Sequence, residues 1–236
     1  MNPSEAPEVQ LQTGYFFSPG FYVNYWQNTI LTNFSPSEVV SDNRLKEHRE
    51  MWIGAQLAAL KTKLSGKNHF VGLPPSDPPD VLIGCFEEHR VPSGRIGHNL
   101  NWYPVENTRC DMSAGEDVLT QIDRKNTQAY TNTVLLVYLQ GVEVVPDMKA
   151  IYESITSKDV VHLHEIIVMV QLQSEPNGLP AESFGFVQVY PKYDSAVISR
   201  NDTDAYFLEP NIMTATGRGI QSSVVSLGQI RLMPPV

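Results

Sequence analysis

Three carboxylates in this 236-residue chain stand where they can do chemistry. Asp80 follows two prolines in "DPPDVLIG" (77–84), at the threshold of an apolar run suited to a buried strand. Glu106 lies in "PVENTR", inside the next strand-like stretch. Glu50 falls on the extension of an apolar helix face, where an unpaired carboxylate is costly to bury. Adjacent strands run about 4.8 Å apart, so Asp80 and Glu106 can converge despite their separation in sequence. Convergent carboxylates form a hard-oxygen site suited to Mg²⁺ or Mn²⁺. Such an ion lowers the pKa of a bound water and stabilises charge on a phosphate during in-line displacement. Each residue also has an ordinary reading. Pro-Asp punctuates turns, Glu106 at an alternating strand position can face solvent, and Glu50 can sit at the solvated boundary of an amphipathic helix.

The elements that must position these residues follow from periodicity. In "NRLKEHREMWIGAQLAALKTKL" (43–64), Ile53, Leu57, Leu60 and Leu64 step by 4, 3 and 4, one face of a helix, and Gly66 supplies its stop. Strands are expected over 80–88 and 100–111, separated by a turn in "RVPSGRIGHN". The proline in the second makes Tyr103–Val105 an edge or a bulge. A helix from about Gly115 to Tyr130 comes next, then "TVLLVYLQG" (133–141), an apolar run typical of a strand covered on both faces. "PDMKAIYESITSKD" reads as a helix, and 162–173 and 183–191 as strands. This order predicts an α/β fold with a mixed central sheet flanked by helices. Residues 1–42 are rich in aromatics and turn formers and read as an ordered N-terminal extension. A core over 43–173 and a strand-rich C-terminal extension over 174–236 complete a single domain.

The acids and the element order together resemble the PD-(D/E)XK, or restriction-endonuclease-like, nucleases, of which the chain looks like a divergent member. That family's core is a helix, a strand hairpin, a helix and a strand. Its site joins an acid of the first helix to "PD" before a strand and "ExK" in the next. "PPD" (78–80) and "VENT" (105–108) supply the two short motifs here, and the resemblance covers roughly residues 43 to 173. It implies a metal-dependent phosphodiesterase in which Asp80 and Glu106 hold Mg²⁺ or Mn²⁺ and Glu50 adds a ligand or a supporting contact. One departure matters: the lysine expected two residues after Glu106 is Thr108. Val118, Ile122, Lys125 and Ala129 step along one helix face, which makes Lys125 the candidate replacement, as in family members that draw their lysine from this helix. Gln128 and Tyr130 are placed to support a substrate, although ordinary packing explains Tyr130 as well.

Other signals carry less. His162 and His164 in "HLH" have strand spacing for zinc or copper but no third ligand. "GRIGHN" and "GRGI" lack the spacing of phosphate loops, and no G-x-S-x-G elbow occurs. Two cysteines, Cys85 and Cys110, make no disulfide framework or thiolate zinc site and are expected as free buried thiols. A net charge of -9 disfavours a broad nucleic-acid surface, so DNA or RNA is expected to bind weakly, through a local groove. The opening "MNPSEAPEVQ" has no secretory-signal character and no run long enough for a membrane span is present, so a cytoplasmic protein is expected. The acidic charge and the missing lysine also suit a second reading, a non-catalytic member of the same fold. That member would bind a protein or form a homo-oligomer through the aromatic N-terminal segment.

Overall fold

The computed structural model describes residues 14–75, 79–90, 96–172, 183–200, 202, 212–216 and 219–223. Strand β1 (Tyr15–Phe17) leads into helix α1 (Pro19–Tyr25), the short helices α2 (Leu31–Asn33) and α3 (Pro36–Ser41), and the long helix α4 (Lys46–Ser65). Next come β2 (His69–Gly72), the hairpin of β3 (Val81–Arg90) and β4 (Ile96–Asp111), α5 (Val118–Lys125) and β5 (Val134–Gln140). The chain continues through α6 (Met148–Thr156), β6 (Glu165–Leu172), β7 (Ser183–Tyr190), β8 (Asp194–Ile198), β9 (Ile212–Thr216) and β10 (Gly219–Ser223). The ten strands among the described residues join one sheet in the order β10-β9-β1-β2-β3-β4-β5-β6-β7-β8. The pairs β4–β5 and β5–β6 are parallel and the others antiparallel, so the sheet is mixed.

Two parallel connections decide which helix covers which face. β4–α5–β5 and β5–α6–β6 step across the sheet in the same direction, and crossovers of one hand then place both helices on the same face. Val118 and Ile122 of α5 and Ile151 and Ile155 of α6 accordingly share a core with Leu135, Val137 and Leu139 of β5. The alternate β5 residues, Val134, Leu136 and Tyr138, face a second core built on α4 and the N-terminal aromatics. β5 is thus buried on both faces, as its continuous apolar run predicts.

Helix α4 ends at Gly66, which takes the left-handed conformation (φ 70°) expected of a glycine stop. Its burial is broader than one stripe: Met51, Ala55, Leu57, Ala58, Ala59 and Leu60 are buried, whereas Leu64, expected on the inner face, is 65% exposed. The reason is a second layer over the helix. Tyr22 of α1 hydrogen-bonds His48 at 2.9 Å, and Trp26 stacks on Trp52 at 5.6 Å. Gly54 lets α4 approach the sheet, since a Cβ there would lie 2.9 Å from the Cγ2 atoms of Val71 and Val81. Phe16, Phe21, Tyr22, Tyr25 and Trp26 are therefore consumed by the protein's own core. An interface drawn on this segment has to use its other side chains, such as the exposed Leu31 and Val40.

Several expectations are corrected in detail. β1 and β2 pair with each other and join β9 to β3, although the sequence shows neither as a strand. β1 is three aromatic residues long and β2 is four residues buried throughout, so neither shows a polar–apolar alternation in sequence. The strands of both flanking stretches, 1–42 and 174–236, belong to the same sheet as the core. Of the two readings of Pro104, the edge holds and the bulge does not: it pairs in register with Leu82, and the β5 ladder begins only at Val105. β4 has one neighbour at the proline, and no ladder bond to β5 is lost there. The helix over 115–130 shortens to α5 and a 3₁₀ turn at Gln128–Tyr130. β6 starts at Glu165, after His162 and His164, so these do not share a strand face. Residues 91–95 of the expected turn lie outside the described residues. Among the described residues, no helix is long and apolar enough to cross a membrane.

Candidate functional site

Side-chain alternation along β4 sorts the candidates. Glu106 pairs with Leu135 and faces α5, whereas Val105 and Asn107 pair with Val134 and Leu136 and face α4. On the α5 face, the amphipathic step from Val118 and Ile122 carries Lys125 toward the sheet, as the sequence predicts. Its ammonium donates to Glu106 Oε1 at 2.5 Å. It also donates to the Tyr130 hydroxyl at 3.2 Å and lies 5.0 Å from that ring's centroid. The 3₁₀ turn at Gln128–Tyr130 folds the chain back over the end of α5 and makes this contact possible. The Glu106 and Lys125 side chains are only 5% and 19% exposed. Burial pulls the Lys125 pKa down, but the hydrogen bonds to Glu106 and Tyr130 prevail and raise it above the usual lysine value. The lysine is therefore a cation at neutral pH. The second Glu106 oxygen, Oε2, is buried and has no hydrogen-bond partner among the described residues.

Thr108, in the place of the missing lysine, is buried on the same face, and its hydroxyl accepts from Arg124 Nη2 at 3.5 Å. Arg124 is the residue that sequence reasoning missed. Its signal was the basic pair Arg124–Lys125 in the last turn of α5, where cations also complement the helix dipole.

Asp80 stands one residue before β3, half-buried, and its Oδ2 accepts the backbone N–H of Asn107 at 2.7 Å. The carboxylate is thus pinned to the residue after Glu106. Glu50 is not brought to this place. It lies in α4 across the sheet, 3.5 Å from Lys46, and its carbonyl accepts from Asn107 Nδ2 at 3.3 Å. The expected trio therefore splits: Asp80 and Glu106 are linked through the β4 backbone, and Glu50 belongs to the opposite face. Among the described residues, no group of three or more His, Cys, Asp or Glu is placed to hold a metal ion. What remains is Asp80 bound to the backbone one residue past Glu106, and a Glu106 carboxylate with one oxygen paired to Lys125 and the other unpartnered among the described residues.

The face that holds Glu50 has a cleft of its own, about 480 Å³, between α4 and the ends of β4, β5 and β6. Arg109, which alternates onto this face, lines it together with Lys46 and Arg49. Arg49 Nη1 donates to the carbonyls of Val39 and Asp42, each at 2.9 Å, and burial lowers its pKa from the usual guanidinium value.

Comparison with protein-family models, with curated proteins and with solved structures finds no match for this chain.

Proposed function

We propose that the protein is a divalent-metal-dependent phosphodiesterase, a nuclease of the restriction-endonuclease-like kind that works without the usual strand lysine. The contact between Lys125 and Glu106 carries the reading: a lysine from α5 reaches the strand carboxylate, whose second oxygen lacks a partner. The succession of α4, the β3–β4 hairpin, α5 and the parallel strand β5 supports it. Asp80 and Glu106 would hold Mg²⁺ or Mn²⁺ together with a backbone carbonyl next to Glu106. Such an ion would supply charge stabilisation at the phosphate and a more acidic bound water. Lys125, kept cationic by its partners, offsets phosphate charge and orients the water. The water oxygen would add to phosphorus as the water gives up a proton, the P–O ester bond would break, and the leaving alkoxide would take up a proton to depart as the alcohol.

One observation favours the second reading, a non-catalytic module of the same fold. Glu106 is 4% exposed and already paired, as in an ion pair that only builds the core. Two measurements on the full chain separate the readings. Mn²⁺ or Mg²⁺ should raise Tm, by the equivalent of about 2.7 kcal/mol at a hundredfold excess over Kd, and Asp80→Ala should remove the shift. Single- and double-stranded DNA and RNA should be cleaved with either ion, and Glu106→Gln should abolish cleavage. No Tm shift and no cleavage of any substrate leave the binding module as the answer.

A further inference from the structure

We propose that the cleft on the α4 face is a nucleotide-binding site, distinct from the centre at Glu106 and Lys125. It would take a purine or pyrimidine nucleoside phosphate, either free or as one residue of a single strand. The proposal concerns binding alone and does not depend on the phosphodiesterase reading.

Three observations converge. The first is place: Arg109, Gln140 and Gln171 bring the cleft to the carboxyl ends of the parallel strands β4, β5 and β6. Open α/β sheets bind ligands in the crevice outside those ends. The second is charge. In a chain of net charge -9, the cleft is lined by the cations Lys46, Arg49 and Arg109 against the single carboxylate Glu50, a local balance of +2 (three minus one). Arg109 is half exposed, with Asp111 at 3.8 Å, and Lys46 reaches Glu50 at 3.5 Å. Neither pair has the close bidentate geometry that would compete strongly with a phosphate. The third is the aromatic part of the lining. Trp26 and Trp52 stack there, and Trp52 is clamped edge-on by Tyr138 at 6.2 Å and Phe184 at 5.5 Å.

The polar groups of the wall narrow the ligand class further. Trp52 Nε1–H and Asn107 Oδ1 are buried without a partner among the described residues. The Asn107 amide is oriented by Nδ2 donating to the Glu50 carbonyl, so the oxygen is the atom left over. A buried donor and a buried acceptor left unpaired are each destabilising until a partner satisfies them. A flat heterocycle that offers both an acceptor and a donor answers the pair once the two side chains, which line the cleft, turn to bring these buried atoms into it. A nucleobase is such a heterocycle, and its phosphate meets the three cations. The volume, about 480 Å³, lies within the range of small-molecule sites.

Two of the protein's three tryptophans line the cleft, which provides the readout. Adenosine 5′-monophosphate is titrated into the metal-free protein by tryptophan fluorescence and by calorimetry, beside adenosine, inorganic phosphate and a short single-stranded oligonucleotide. The nucleotide should bind saturably, and adenosine and phosphate at least about tenfold more weakly, since each offers only half of the contacts. Arg109→Glu and Lys46→Glu, both at half-exposed positions, should weaken nucleotide binding at least about tenfold with Tm unchanged. An oligonucleotide that binds at least as tightly identifies a strand as the source; one that binds more weakly identifies a free nucleotide. The proposal is overturned by the absence of saturable nucleotide binding up to about 1 mM. It is equally overturned if phosphate binds as well as the nucleotide, or if both charge reversals leave binding intact.

Discussion

Replacing Lys125 by methionine should destabilise the protein by about 3 kcal/mol at neutral pH. From the sequence alone, this substitution looks mild, because methionine keeps most of the volume of a surface lysine. The structure changes the expectation. The ammonium lies 2.5 Å from Glu106 Oε1, the two side chains are 19% and 5% exposed, and Glu106 Oε2 has no hydrogen-bond partner among the described residues. Methionine would leave a buried carboxylate without its counter-charge, and breaking a buried pair from one side costs about 3–5 kcal/mol. The low end applies because Lys125 keeps some access to water. Urea unfolding of the parent, Lys125→Met, Glu106→Gln and the double variant closes a cycle. The double variant should recover a large part of the loss, since it removes both charges. The pH dependence supplies a second check. The folded Lys125 pKa is raised, so its contribution is fully present below the unfolded lysine value and is lost as pH climbs through the folded one. The cost of Lys125→Met should therefore stay level across neutral pH and shrink only in strongly alkaline buffer. A loss below about 1 kcal/mol, the range of surface pairs, or strict additivity in the cycle would refute the buried pairing.

Gly54→Ala should destabilise the fold by about 1–3 kcal/mol even though alanine favours the helix, because its methyl would lie 2.9 Å from the side chains of Val71 and Val81; thermal unfolding measures it, and an unchanged or higher Tm would show that α4 sits farther from the sheet. Binding of DNA or RNA should be weak and fall steeply with salt, since the net charge is -9 and cations must act from a local groove; a titration at two ionic strengths checks this, and tight binding that persists at high salt would contradict it.

The sequence by itself determined the elements whose signals are local. The stop at Gly66, the doubly covered strand β5 and the turn of α5 that aims Lys125 at the sheet were all legible from spacing and residue type. That Lys125 meets Glu106 is settled only when α5 packs back over the face of β4 that carries Glu106. What only the tertiary structure decided is which elements meet and on which face. β1 draws its partners from β2 and from β9, far apart in the chain, and three aromatic residues in a row announce no such pairing. Glu50 and Glu106 each looked suited to the same metal, yet alternation along β4 sends Glu106 toward α5 while α4 covers the other side. A strand's period of two shows that neighbouring residues part, but not which helix waits on each face. That choice belongs to the hand of the β4–α5–β5 and β5–α6–β6 crossovers, which claim one face and leave the other to α4.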